Sequence, residues 1–162
     1  MLRSLPIVRY LSADLDPRSP ALMHFDITAI PLDDATFDVV VCNHVLEHIP
    51  DDRLAMRELR RILRPGGCMY SIHPVYTELP STFEDASVTD PDARRRLFGQ
   101  IDHVRKYGPD FVERLSNAGF EVRVERYGAD AEGVRYYGLG GEEPIYVCRR
   151  PEVDTPRPRS PR

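Results

Sequence analysis

Residues 37–42, Phe-Asp-Val-Val-Val-Cys, set three β-branched side chains and a cysteine in an unbroken row that opens at once into Asn43-His44. A row of this kind suits a strand of a parallel sheet covered on both faces, where alternation with polar residues is not needed. Val39 to Cys42 is therefore expected to be a buried strand. In doubly wound α/β sheets small molecules bind just outside the carboxyl ends of the strands. Asn43 and His44 fall at that place.

The flanking sequence reads as further elements of such a sheet. Ile7 to Ala13 is apolar and ends in Asp14 before a turn at Asp16-Pro17, which suggests a strand. Pro20 to Asp26 has room for a short strand ending at Phe25. After the turn at Ile49-Pro50, Asp51 or Asp52 can cap a helix from Arg53 to Leu63, because a short carboxylate accepts the orphan amide protons of a first turn. Ala55, Leu59, Ile62 and Leu63 recur at helical spacing and form its inner stripe. Pro65-Gly66-Gly67 stops the helix, and Cys68 to Ile72 returns as a parallel strand. Tyr76 to Asp102 is polar with one short helical pattern, Pro91 to Phe98, and reads as a long insertion or lid over a site. Arg94-Arg95-Arg96 within it reads as a solvated face.

Tyr107-Gly108-Pro109-Asp110 opens another helix, with Pro109 in its tolerated first position and Phe111, Leu115 and Ala118 facing inward. Gly119 closes it as a left-handed cap. Phe120 to Tyr127 alternates strictly, as a strand with one wet face does. Pro144 to Cys148 supplies a last strand. Residues 151–162 carry four prolines without apolar period and read as a disordered tail on a single domain of residues 1–150.

Composition removes several classes of function. A formal charge of -4 gives no general attraction to nucleic acid or to an anionic membrane surface. Cys42, Cys68 and Cys148 are far apart and form no C-x-x-C pair, so buried free thiols are expected rather than a zinc ribbon or a disulfide frame. No apolar run is long enough for a membrane span and no secretion signal is visible, which predicts a cytoplasmic protein.

Asp26 and Pro31, the segment Asp34-Ala35-Thr36-Phe37-Asp38-Val39-Val40, and His44-Val45-Leu46-Glu47-His48 together resemble the class I methyltransferases that use S-adenosylmethionine, in their type 11 branch. The likeness continues through Arg57-Glu58-Leu59-Arg60-Arg61-Ile62-Leu63-Arg64-Pro65-Gly66-Gly67 and spans roughly Tyr10 to Cys148. It implies an α/β fold: a Rossmann-like, mostly parallel sheet ending in an antiparallel hairpin. It also implies methyl transfer from S-adenosylmethionine to a small-molecule acceptor. By the same resemblance, Asp14 with Leu15 would hold the ribose hydroxyls and Asp26 with Ile27 would frame adenine. Asn43 and His44 would lie near the methionine part of the cofactor. His73, after the Cys68 to Ile72 strand, would stand beside the acceptor, where an imidazole can take a proton near neutrality. Each has a plainer alternative: a turn aspartate at Asp14, a loop-capping aspartate at Asp26, a structural asparagine and a helix-start histidine at 43 and 44, and a positioning histidine at 73.

Two departures complete the reading. His44-x-x-Glu47-His48 has the H-x-x-E-H spacing of certain zinc hydrolases, but the segment follows a strand and is soon broken by Pro50, so no metal is expected. The resemblance also lacks its beginning. Thirteen residues precede Asp14, and none supplies the family's first strand and cofactor-binding loop, often G-x-G-x-G. The fold is thus expected to be an N-terminally truncated version. The strands flanking the gap would pair directly, or a second copy would cover it in a homo-oligomer, or the recorded start lies too far downstream. A methyltransferase-derived partner subunit that has lost cofactor affinity is the alternative function.

Overall fold

The computed structural model describes residues 9–126 and 143–153. Among them the main sheet has four strands in the order β3-β4-β8-β7: β3 is Phe37–Asn43, β4 Leu63–Ile72, β7 Glu121–Glu125 and β8 Ile145–Arg149. β3 and β4 are parallel, while β8 runs antiparallel to both β4 and β7. Three of the four strands therefore share a direction, and β8 enters between two of them as the closing hairpin arm. The pair β1 (Ala13–Asp14) and β2 (Met23–His24) is parallel and forms a sheet of its own. The strands on either side of the expected gap, β1 and β3, do not pair with each other.

Helix α1, Asp52–Ile62, crosses from β3 to β4, and the Asp51 carboxylate caps it by accepting from Leu54 N at 2.9 Å. Its buried residues are Ala55, Leu59 and Ile62 of the expected stripe together with Asp52 and Met56, while Leu63 already begins β4. Helix α2 is Pro91–Phe98, as the pattern suggests, and α3 is Phe111–Asn117. α3 begins later than Pro109. Asp110 does not cap it, because the Asp110 carboxylate is drawn across to Thr82, accepting from its amide at 2.5 Å and from its hydroxyl at 2.8 Å.

α1 and α3 cover one face of the sheet. Cys42, Met69, Tyr146 and Cys148 point inward from the strands and meet Ala55, Met56, Leu59, Ile62, Phe111 and Leu115. Burial pushes the Cys42 and Cys148 thiols up to about 12, so both are inert at neutral pH. Cys68, pointing the other way, is half-buried, and all three are free. The outer face departs from expectation. Val39 is 54% and Val41 60% exposed, with Tyr70 beside Val41 at 41%. The run of valines is thus a one-face strand whose outer residues are apolar without being covered, and periodicity alone does not separate the two cases.

The expected strand at Ile7 to Ala13 is shorter where it is described: pairing is confined to Ala13 and Asp14, because β2 offers two partners between the Pro20 turn and the Asp26 loop. The segment expected to be a loose insertion is organised instead. β5, Phe83–Glu84, pairs antiparallel with β6, Arg105–Lys106. Glu84 accepts from Arg105 at 2.9 Å and from Arg114 at 2.7 Å, and Arg114 also reaches Asp52 at 3.0 Å. The Tyr107 hydroxyl donates to Asp52 at 2.9 Å. Burial and then the Asp52 charge raise this phenol well above its ordinary range. The glycine-rich stretch 136–141 and the tail from 154 lie outside the described residues, and no described helix is long and apolar enough to cross a membrane.

Gly119 closes α3 with φ +100, and a Cβ there would stand 2.7 Å from Nε of Arg60, which itself donates to the Gly119 carbonyl at 3.1 Å. Gly119→Ala is expected to cost about 1–2 kcal/mol, from the left-handed backbone plus the displaced guanidinium. Urea unfolding measures it, and an unchanged midpoint would show that this cap carries no strain.

Candidate functional site

The residues singled out by sequence gather at two strand ends. β1 ends at Asp14, which is in register with His24, and Phe25 N donates to the Asp14 carbonyl at 3.1 Å. Asp26 follows directly, so two exposed carboxylates stand at the same end of the β1–β2 pair. One oxygen of Asp14 accepts the Asp16 amide at 2.9 Å. One oxygen of Asp26 accepts the Thr28 amide at 2.8 Å and the Thr28 hydroxyl at 2.7 Å. These two bonds hold the Asp26 carboxyl below its usual range. Among the described residues the second oxygen of each aspartate takes no bond, so each loop orients its carboxylate and leaves one oxygen to accept from a ligand. Leu15 is exposed beside Asp14, whereas Ile27 turns inward onto the core.

The loop bearing Asp26 is fastened to α1 by Arg61. Its guanidinium donates to the carbonyls of Ile30 at 2.8 Å and Leu32 at 2.7 Å and to Asp34 at 2.7 Å, while pairing with Glu58. Glu58 in turn accepts from Ile30 N at 3.1 Å.

β3 delivers the second group. Asn43 is exposed, and His44 adopts φ +51, a left-handed conformation uncommon for a side-chain-bearing residue, with its amide donating to Ile72 O at 2.9 Å. The turn aims the half-exposed His44 ring with Nδ1 3.5 Å from Glu47 and Nε2 3.6 Å from Glu143. His73 lies behind it, its ring centre 6.5 Å from that of His44. It has no exposed surface and sits against the rings of Phe111 and Tyr107. Its Nδ1 is 2.7 Å from Glu47 Oε2 and its Nε2 2.6 Å from Ser71 Oγ, which donates to the Cys42 carbonyl at 2.9 Å. Placed so, His73 meets no acceptor from solvent. It links Glu47 to the end of β3.

Glu47 is the residue that sequence reading undervalued. It is 2% exposed and stands between the exposed His44 and the buried His73. Burial works to raise its carboxyl, and the hydrogen bond and charge of His73 outweigh that, leaving it lowered and the side chain anionic. The turn that carries it, Leu46–His48, is pinned by Arg105, which donates to the carbonyls of Leu46 at 2.9 Å and Pro50 at 2.8 Å. The structure thus brings Asp14 with Asp26, and Asn43 and His44 with His73, as two clusters on separate sheets.

Comparison with known proteins bears on the fold that carries these residues. Residues 5–71 match the family model described as "Methyltransferase domain". The chain is 36% identical over 97 residues to an uncharacterized 37.1 kDa protein in transposon Tn4556 of Streptomyces fradiae, covering 60% of this chain and 28% of that protein. It is 34% identical over 59 residues to a demethylmenaquinone methyltransferase of Staphylococcus aureus, covering 36% of this chain and 24% of that one. The alignments thus span about a quarter of those relatives' length. A solved S-adenosylmethionine dependent methyltransferase from Mesorhizobium loti superposes with a TM-score of 0.55 at 18% identity, covering 85% of this chain and 78% of the other.

Proposed function

We propose that this chain, which shares the fold of class I methyltransferases and matches the methyltransferase-domain model over residues 5–71, belongs to that family and transfers a methyl group from S-adenosylmethionine to a small-molecule acceptor. The observation that carries the reading is the pair of oriented carboxylates, Asp14 and Asp26, at one end of β1–β2. A sugar diol and an exocyclic amine are both donors, and two anionic acceptors on adjacent chain ends suit a nucleoside. Asp14 with Leu15 would hold the ribose, and Asp26 with the backbone of Ile27 the adenine, the Ile27 side chain packing inward. Asn43 and His44 would meet the methionine part. The bound cofactor supplies a methyl group already activated by a sulfonium, so the protein has mainly to fix donor and acceptor in line. His44, exposed and steadied by Glu47, is placed to orient the reacting groups. His73 acts through Glu47 as a positioning residue. The Staphylococcus relative is named for demethylmenaquinone, which supports a small acceptor here.

Titration calorimetry with S-adenosylmethionine and S-adenosylhomocysteine tests the proposal. Saturable binding is expected, weakened about tenfold by Asp14→Ala and again by Asp26→Ala, as suits the loss of one charged hydrogen bond each. Absence of saturable heat at millimolar ligand would reject it.

A further inference from the structure

We propose that Glu47, His48 and His103 form a binding site for a divalent transition-metal ion, zinc fitting best. The inference does not rest on methyl transfer. One ligand atom from each of the three residues lies within 4.8 Å of those of the other two. Ligand atoms on a tetrahedral zinc stand roughly 3.4 Å apart, given bonds near 2.1 Å, so small side-chain rotations would close the set. Chain segments far apart in sequence are held together for this. Val104 N donates to the Glu47 carbonyl at 3.0 Å, and Arg105 ties the same turn through the Leu46 and Pro50 carbonyls.

The outer contacts of the two imidazoles are those that metal-bound histidines use. His103 Nδ1 lies 3.3 Å from the Phe98 carbonyl, and His48 Nδ1 lies 3.3 Å from the Asp102 carboxylate. A carbonyl and a carboxylate both accept, so each Nδ1 carries the proton and each Nε2 presents a lone pair. Among the described residues neither Nε2 has a donor. The rings meet edge to face with centres 4.7 Å apart. Glu47 Oε1 supplies an independent sign: it is buried and, among the described residues, meets no hydrogen bond, only the His44 ring at 3.5 Å. A buried, unsatisfied carboxylate oxygen is costly unless a cation or donor completes it.

Two imidazoles and a carboxylate match the ligand chemistry of zinc and exclude magnesium and calcium, which take oxygen. Three protein ligands leave a fourth position for water or substrate. His48 and Asp102 have side chains 29% and 62% exposed, which opens the site to an ion from solvent. The H-x-x-E-H spacing therefore contributes its last two residues, with His103 in place of His44.

The test uses the full chain, stripped with chelator and dialysed against Zn2+ alone. One equivalent of zinc per chain is expected, with a rise in melting temperature, and Co2+ should give a visible spectrum without thiolate charge transfer. His48→Gln and His103→Gln are each expected to weaken Zn2+ binding more than about a hundredfold, since even second-shell losses reach 10–100-fold. His24→Gln, remote in the β2 strand, should bind as the parent does. His48 is partly exposed, so its variant keeps the fold, and circular dichroism of the metal-free proteins checks this for both. Substoichiometric zinc, a thiolate band with Co2+, or parent-strength binding by the folded His48→Gln or His103→Gln protein would each overturn the assignment.

Discussion

Arg114→Met is expected to destabilise the protein by about 3–5 kcal/mol, the cost of leaving a buried charge without its partner. Arg114 is 7% exposed and bridges Asp52, which is 3% exposed, to Glu84 and to Asp110. Methionine fills most of the volume but supplies no proton. Asp52 would keep the Tyr107 hydroxyl, which favours the lower end of the range. For a chain of this size that corresponds to a fall in melting temperature of roughly 6–12 °C. The same variant should change the acid limb of stability. In the parent, burial opposes ionisation of Glu84 and Asp110, and the bonds from Arg114 and Arg105 on the first and from Thr82 and Arg114 on the second override it, so both carboxyls are lowered. Groups lowered on folding contribute stability that is fully present above the unfolded carboxylate pKa, about 4. That contribution is lost as pH falls through the lowered folded values. The parent should therefore lose stability steeply below about pH 4, and Arg114→Met should lose less over that interval because part of the gain is already gone. Urea unfolding from pH 7 to pH 3 measures both effects. A loss under about 1 kcal/mol at neutral pH would show the network to be solvated.

Arg61→Met should uncouple the Asp26 loop from α1, costing about 2 kcal/mol of stability and weakening S-adenosylmethionine without touching either aspartate. One guanidinium holds two backbone carbonyls and two carboxylates across some thirty residues of sequence. Each half-buried carbonyl left unpaired costs a fraction of a full desolvation penalty. The loop bearing Asp26 would then sample positions in which its carboxylate no longer keeps its place at the end of β1–β2, and affinity should fall about tenfold, comparable to losing one charged contact. Calorimetry and urea unfolding on the same preparation separate the two readouts. Lost stability with parent affinity would mean that Asp26 is positioned by its own Thr28 contacts and not by Arg61.

Much of the fold could be read from the sequence because its signals are local. Capping by Asp51, the stripe from Ala55 to Leu63, the Pro91 start of α2 and the αL glycine at 119 each depend on residues within a turn or two. The alternation of Glu121 to Glu125 placed β7, and its pairing with β8 followed from the resemblance. What was not legible depends on partners far along the chain. Whether both faces of β3 are covered is decided by neighbouring layers, and nothing in Val39-Val40-Val41 records it. The Tyr76 to Asp102 segment looked unstructured because its order comes from Glu84, Arg105, Arg114 and Asp110, charged residues that read as surface until the two buried arginines are seen paired with the carboxylates.

The site divides in the same way. Asp14, Asp26, Asn43 and His44 were visible as strand-end polar residues. Glu47 was not, because a glutamate after a strand reads as solvent-facing, and its burial depends on His73 arriving from β4. One signal was available. Met69, Ser71 and His73 are spaced by two, so an inward Met69 implies an inward Ser71 and an inward His73.

The uncovered valines of β3 carry a consequence for its alignment. Where apolar residues lie on both sides of a strand, sliding it by one position exchanges Val40 for Val39 and Val41 without exposing anything more oily than before, so hydrophobicity barely fixes the frame. The frame is set at the two ends. At the start, Phe37 is opposite Leu63, Val39 is opposite Cys68, and a bulge lies between; Gly67 admits the Asp38 carbonyl, which a Cβ would meet at 3.0 Å. At the finish, Ser71 grips the Cys42 carbonyl and the His44 amide grips Ile72. The hydrogen bonds around Glu47 and His73 thus serve as the latch that keeps every valine of this outermost ribbon in step with its neighbour.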